Sequence, residues 1–122
     1  MTQLLAHTLL SAHDPNTGRY DARRLASVLA LTNTEMATLL GYTPRGLSKN
    51  PVSPRLQPRM AEVVRIINRL RELLDGNMEY VRIWLKAPHP DLDGRTPLSY
   101  LEEGKSAAVE TLIHMIETGQ PG

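Results

Sequence analysis

Three clusters in this 122-residue chain carry side chains capable of chemistry. His89-x-Asp91-x-Asp93 puts an imidazole and two carboxylates at alternate positions, which could be pictured as a metal loop. It is hemmed in by Pro88 and Pro90, lacks a calcium-loop pattern, and none of the four histidines pairs with another at metal-ligand spacing. No metal site is expected. The second cluster is basic: Arg45, Lys49, Arg55 and Arg59 occupy a window between Glu35 and Glu62 that holds no acid. Such a window suits contacts to phosphates. The third is Glu102-Glu103, near the end of a short helix, where the helix dipole disfavours acids and an outside basic partner would favour them. No nucleophile–base pair, phosphate loop or second carboxylate element accompanies these clusters. No catalytic residue and no cofactor are assigned, and an enzyme is the least expected class.

Composition bounds the scaffold that must hold these groups. The chain has no Cys and no Phe and is 41% hydrophobic, so its core must be built from Leu, Val, Ile, Met and Ala. That set favours helix over sheet. Without Cys there are no disulfides and no thiolate zinc sites, which suits a reducing cytoplasm. No apolar run approaches the roughly 20 residues of a membrane span, and the N-terminus lacks the basic start of a secretory signal. A cytoplasmic protein with no membrane partner is expected. The net charge of +1 hides an asymmetry: residues 1–76 hold ten Lys/Arg against six Asp/Glu, and residues 77–122 hold four against seven. The first part should attract a polyanion and the second a basic partner.

The periodicity predicts an all-α chain with six or seven helices. Residues 3–12 could form a short leading helix, and His13–Gly18 is a turn cluster. A helix from Asp21 to about Leu31 places Leu25, Val28 and Leu29 on one face. Thr32-Asn33-Thr34-Glu35 fits a capping box. Met36, Leu39 and Leu40 then face inward until Gly41, which can take the left-handed conformation of a helix end. Thr43-Pro44 restarts a helix as N-cap and first residue. After Pro51, Pro54 and Pro58, a long helix from about Pro58 to Leu74 aligns Met60, Val63, Val64, Ile67, Leu70 and Leu74. Asn77 caps a helix reaching Lys86, with Val81, Trp84 and Leu85 inward. Pro88 and Pro90 force an extended connection. Thr96-Pro97 starts a short helix ended near Gly104, and a last helix from about Ser106 to Glu117 buries Val109, Leu112, Ile113 and Ile116.

Two segments stand out on this frame. Asn33–Asn50 has helix-turn-helix logic: Ala37 is small where two helices would cross, Gly41 makes the turn, and Leu40 and Leu47 hold the pair together. Thr43, Arg45, Ser48 and Lys49 would then lie near a DNA groove, with Arg55 at its edge. The second helix is nonetheless degenerate, because Asn50 stands where an apolar anchor is expected, Pro51 follows, and Gly46 weakens the interior by up to about 1 kcal/mol. The other segment, Trp84 to Leu101, is laid out as a rigid connection between two short helices. Trp84, the one Trp of the chain, is either core or an interface anchor.

On these residues the chain resembles the Xre/MbcA/ParS-type antitoxins, the partners of RES-domain toxins in type II toxin–antitoxin pairs. The resemblance is carried by Trp84-Leu85, Pro88-x-Pro90, Leu92, Gly94-Arg95-Thr96-Pro97-Leu98, Leu101, Gly104, Val109, Leu112, Ile116 and Gly119. It extends to Gly41–Pro51, which is similar to the family's helix-turn-helix region. What the resemblance implies is a toxin that consumes NAD⁺ and is held inactive by a cover over its cleft. The implied toxin-binding residues are Trp84, Pro88, Pro90, Arg95, Thr96, Pro97, Glu102, Glu103, Lys105, Val109, Ile113, Ile116, Glu117, Gly119 and Gly122. The last helix and the tail Thr118–Gly122 would lie at the cleft.

The expected organisation is an Xre-like helix-turn-helix and oligomerisation region over residues 1–75 and a toxin-binding domain over 76–122. The expected partners are a cognate RES-domain toxin and operator DNA, through which the chain would repress its own operon. A homodimer, or a larger hetero-oligomer with toxin, is the expected assembly. The rival readings are a DNA-binding repressor whose C-terminal half only dimerises, and a structural helical adaptor with neither role.

Overall fold

A computed structural model of the chain describes residues 11–119. The leading helix expected over residues 3–12 lies outside them except for Ser11 and Ala12. The described residues are all-helical, and their extended pairing is confined to two isolated bridges, His13–Tyr20 and His89–Arg95. By compactness the chain divides into residues 1–65 and 66–122.

In the first unit, α1 (Ala22–Leu29), α2 (Asn33–Leu40) and α3 (Pro44–Lys49) pack on one another. Their ends follow from short-range chemistry. The Asp21 side chain accepts from the backbone N–H of Arg23 and Arg24. Thr32 and Glu35 close a reciprocal capping box, with both bonds made. Gly41 ends α2 at φ 68°, a conformation a side chain would strain. Thr43 caps α3 by accepting from Gly46 N–H at 3.0 Å. Leu25, Leu29, Met36, Leu39 and Leu47 form the centre of this unit. Burying each contributes about 1.5–3 kcal/mol. Val28 is only half-buried.

A 3-10 turn at Pro54–Leu56 leads into α4 (Gln57–Leu73). Gln57 ties its start to the loop before α1: its Oε1 accepts from Tyr20 N–H at 2.8 Å and its Nε2 donates to Tyr20 O at 3.0 Å. The division between units falls inside α4, after Arg65. Met60, Val63, Val64, Ile67 and Leu70 are buried as their spacing predicts, but Ile66 is buried as well and Leu74 is only half-buried.

The second unit contains the rest of α4, α5 (Met78–Leu85), a 3-10 turn (Pro90–Leu92), α6 (Pro97–Glu102) and α7 (Ser106–Thr118). Asn77 caps α5 and Thr96 caps α6 through their side chains. α6 packs on both α5 and α7. Val81, Leu85, Leu92, Leu98, Leu101, Val109, Leu112 and Ile113 make the core. Two inward assignments differ. Trp84 is half-buried, and Ile116 is 40% exposed. Each lies just past the arc of its helix that its neighbours cover, which period alone does not locate.

Candidate functional site

The connection from Lys86 to Thr96 is not the extended segment its prolines implied: Pro90–Leu92 makes a 3-10 turn, and backbone bonds hold the loop. His89 N–H donates to Arg95 O at 3.0 Å, and His89 O accepts from Leu92 N–H and Gly94 N–H. Asp93 and Gly94 reverse the chain at φ 56° and 76°. Leu92 plugs the turn into the core, and the Trp84 and His89 rings sit 5.7 Å apart, inclined by 57°. Pro88 and Pro90 are left exposed at the rim.

One exposed cluster gathers residues that sequence had separated. The Arg95 guanidinium pairs with Glu103, whose carboxylate also takes Lys105 Nζ at 3.2 Å. Arg95 lies 4.9 Å and Lys105 5.5 Å from the centre of the Tyr100 ring, so the two cations flank its π-face. The Arg95 bond, then the Lys105 bond, hold the Glu103 carboxyl below the usual carboxylate range. Glu103 thus ends α6 with its charge already matched inside the unit. The acidic pair does not require an outside cation there. Glu102 beside it is half-buried.

Helix α7 divides its predicted residues sharply. Val109 and Ile113 are fully buried, and Pro97 at the start of α6 is buried too. Counting these three among contact residues is corrected: their side chains fill the core and can only position a surface. Ile116 and Glu117 are exposed, together with Ala107, Thr111, His114 and Thr118. Glu117 is engaged, accepting from Arg69 Nη2 at 2.7 Å. Gly119 closes the helix at φ 72°. Gly122 lies outside the described residues.

A feature missed in the sequence is the outer face of α5. Tyr80 and Ile83 are each 57% exposed, next to half-buried Trp84. Their i, i+3, i+4 spacing was legible, but of the three only Trp84 was singled out, and it was assigned inward.

In the first unit Arg45, Lys49 and Arg55 are exposed, as are Thr43 and Ser48. Thr43 is spent on capping α3. Ser48 Oγ accepts from Asn33 Nδ2 at 3.2 Å. Gly46, which weakens a helix in isolation, has a local cause: a Cβ there would meet the Tyr42 ring at 2.7 Å and Thr43 Oγ1 at 2.9 Å. No group of three or more potential metal ligands occurs among the described residues.

Residues 69–119 match the model of one family, described as the antitoxin Xre/MbcA/ParS C-terminal toxin-binding domain. Comparison with curated proteins and with solved structures returned no match. The matched span takes in the end of α4, the whole proline connection, the Tyr100 cluster and α7. Over residues 69–119 the chain is thus similar to the C-terminal toxin-binding domain of the Xre/MbcA/ParS antitoxins.

Proposed function

We propose that this protein is the antitoxin of a RES-domain toxin that degrades NAD⁺, and that it acts by covering the toxin's active-site cleft. The observation that carries this reading is the match over residues 69–119 to a toxin-binding domain. Physical chemistry supports the mode of action. A cleft that holds a pyrophosphate is basic, and residues 77–122 hold seven acids against four bases, so attraction would steer the two together. The exposed side of α7, with His114 and Ile116, and the α5 stripe of Tyr80, Ile83 and Trp84 supply the apolar part of the contact. Pro88, Pro90, Arg95, Thr96, Glu102, Glu103 and Lys105 line the surface between. The protein is an inhibitor rather than a catalyst, working in the cytoplasm as a homodimer or in a larger complex with toxin. Residues 1–75 serve oligomerisation and residues 76–122 the toxin.

The test is cellular NAD⁺ while the candidate toxin is expressed with and without this protein. NAD⁺ should collapse with the toxin alone and recover on co-expression, with the two proteins copurifying. Unchanged NAD⁺ in both cases would remove the RES partner.

A second role rests on a separate observation, the exposure of Arg45, Lys49 and Arg55 in an acid-free window. These cations suit the phosphates of an operator, and the chain would then repress its own operon. Loss of the toxin reading would leave this one standing as a plain repressor.

A further inference from the structure

Helix α5 has one covered side and one bare side. Val81 and Leu85 are buried in the core of the second unit. On the opposite side Tyr80 and Ile83 are each 57% exposed, with Trp84 half-buried beside them. Two large apolar side chains one turn apart, both open to water, form a patch rather than scattered exposure.

The edge of this patch carries charges in a definite order. Successive helix residues turn by about 100°, so positions seven apart return to the same edge within about 20°. Glu79 and the C-cap Lys86 are seven apart, and both are exposed. One end of the edge is therefore negative and the other positive. Glu79 also meets Arg82 Nη1 at 3.3 Å, but Arg82 stands further round the helix from the patch.

This order selects what covers the patch. A basic cleft would attract Glu79 and repel Lys86, so a surface of one sign fits the edge poorly. A second α5 lying antiparallel fits it twice. Under a two-fold axis the same edges of the two helices meet end for end. Glu79 then faces Lys86 of the second copy, Lys86 faces its Glu79, and Tyr80 of each copy packs on Ile83 of the other. A parallel pairing would oppose Glu79 to Glu79 and Lys86 to Lys86.

We infer that α5 is a homodimer contact, in which two copies of this chain pack antiparallel through Tyr80, Ile83 and Trp84 with two Glu79–Lys86 pairs across the interface. The inference deepens the homodimer of the reading above but needs no toxin. It adds a contact of the second unit to the assembly, and it leaves the exposed side of α7 for the toxin. Two short helix faces make a small interface, so the contact is weak and concentration-dependent.

The chain has no Cys, so single cysteines in the full chain read the register through disulfide formation. Ile83→Cys, beside the two-fold axis, should cross-link to itself on mild oxidation. A mixture of Glu79→Cys and Lys86→Cys should give the mixed dimer in preference to either self-dimer. Self-dimers in preference would overturn the antiparallel register. Cross-linking of Ile83→Cys no faster than that of the exposed control Glu72→Cys would overturn the interface. Sedimentation equilibrium tests the charges. Glu79→Lys and Lys86→Glu should each weaken self-association about tenfold, and Glu79→Lys/Lys86→Glu should restore it, which a merely structural loss would not do. Absence of weakening or of rescue overturns the pairing. Lost toxin inhibition in Tyr80→Ser/Ile83→Ser with self-association unchanged would return the stripe to the toxin. A chain that dimerises in this register but inhibits no toxin sinks the antitoxin reading alone.

Discussion

Arg69 Nη2 donates to Glu117 Oε1 at 2.7 Å across 48 residues of sequence, fastening the last turn of α7 to α4. The bond gives Glu117 a fixed place and a perturbed proton. Arg69 holds its carboxyl below the usual carboxylate range, as Arg95 and Lys105 do for Glu103.

Both shifts make stability depend on acid, and the sign follows from their direction. A carboxylate whose folded pKa is lowered contributes stability in full above its unfolded value, near 4.3 for glutamate. It loses that contribution as pH falls through the lowered folded value. Thermal unfolding of the wild type should therefore drop more steeply below about pH 4.3 than that of Glu103→Gln/Glu117→Gln. Both groups are largely solvent-exposed, so the difference at neutral pH should be small and shrink further with salt. Superimposable pH profiles would show that neither pair contributes.

Thr32 carries half of a complete capping box, and its replacement by Ala leaves Glu35 N–H without its acceptor. The expected loss is about 1 kcal/mol in urea unfolding. Thr96→Ala should cost a similar amount by freeing Ser99 N–H. A loss under a few tenths in both would mean that solvent replaces the caps without penalty.

Gly46→Ala tests a close approach. Elsewhere in a helix this change stabilises by up to about 1 kcal/mol. Here the new methyl would push against the Tyr42 ring and the hydroxyl of Thr43 that caps α3. The propensity gain should be cancelled or reversed in urea unfolding. A full gain would mean that Tyr42 and Thr43 move aside freely.

What the sequence disclosed and what it withheld divide along the range of the interactions. The caps at Thr32, Thr43, Asn77 and Thr96 and the left-handed stop at Gly41 involve residues three or four apart, so residue type and spacing locate them. The core of α4 was readable because five of its apolar residues, Met60, Val63, Val64, Ile67 and Leu70, share one face. Trp84 and Ile116 were placed inward because period fixes a face but not the width its neighbours cover. Arg69–Glu117 and Arg95–Glu103–Lys105 depend on which helices meet, and no local pattern encodes that. Within the candidate site, the proline connection and α7 were identified as segments, and Val109 and Ile113 were read as buried, yet both were counted with Pro97 among the toxin-binding residues although all three are core.

The exposed bases of α3 and the loop after it make a separable prediction. If they meet operator phosphates, Arg45→Ala and Lys49→Ala should each weaken binding about equally on all sequences. Each should also reduce the slope of log affinity against log salt by about one. Fluorescence anisotropy with operator DNA at several salt concentrations reads both. Full affinity in the two variants would remove these residues from any DNA contact, and toxin neutralisation should be unaffected either way.

The occlusion model needs a test that leaves the fold intact. Deleting residues 105–122 would remove Val109, Leu112 and Ile113 from the core and the Arg69–Glu117 bond with them. Lost neutralisation would then report only an unfolded unit. Two isoleucines three residues apart separate the cases. Ile113 is fully buried, so Ile113→Ala should cost about 2–5 kcal/mol and lower neutralisation through lost structure. Ile116 is 40% exposed, so Ile116→Ser should change stability by about 0.5 kcal/mol or less. If α7 covers the cleft, Ile116→Ser and Ile116→Arg should raise the toxin's residual NAD⁺ consumption in the presence of antitoxin, with circular dichroism and melting unchanged. The arginine should do so more strongly, because it brings a like charge to a basic cleft. Wild-type inhibition by both variants would move the contact off α7, to the Tyr80–Ile83 face of α5.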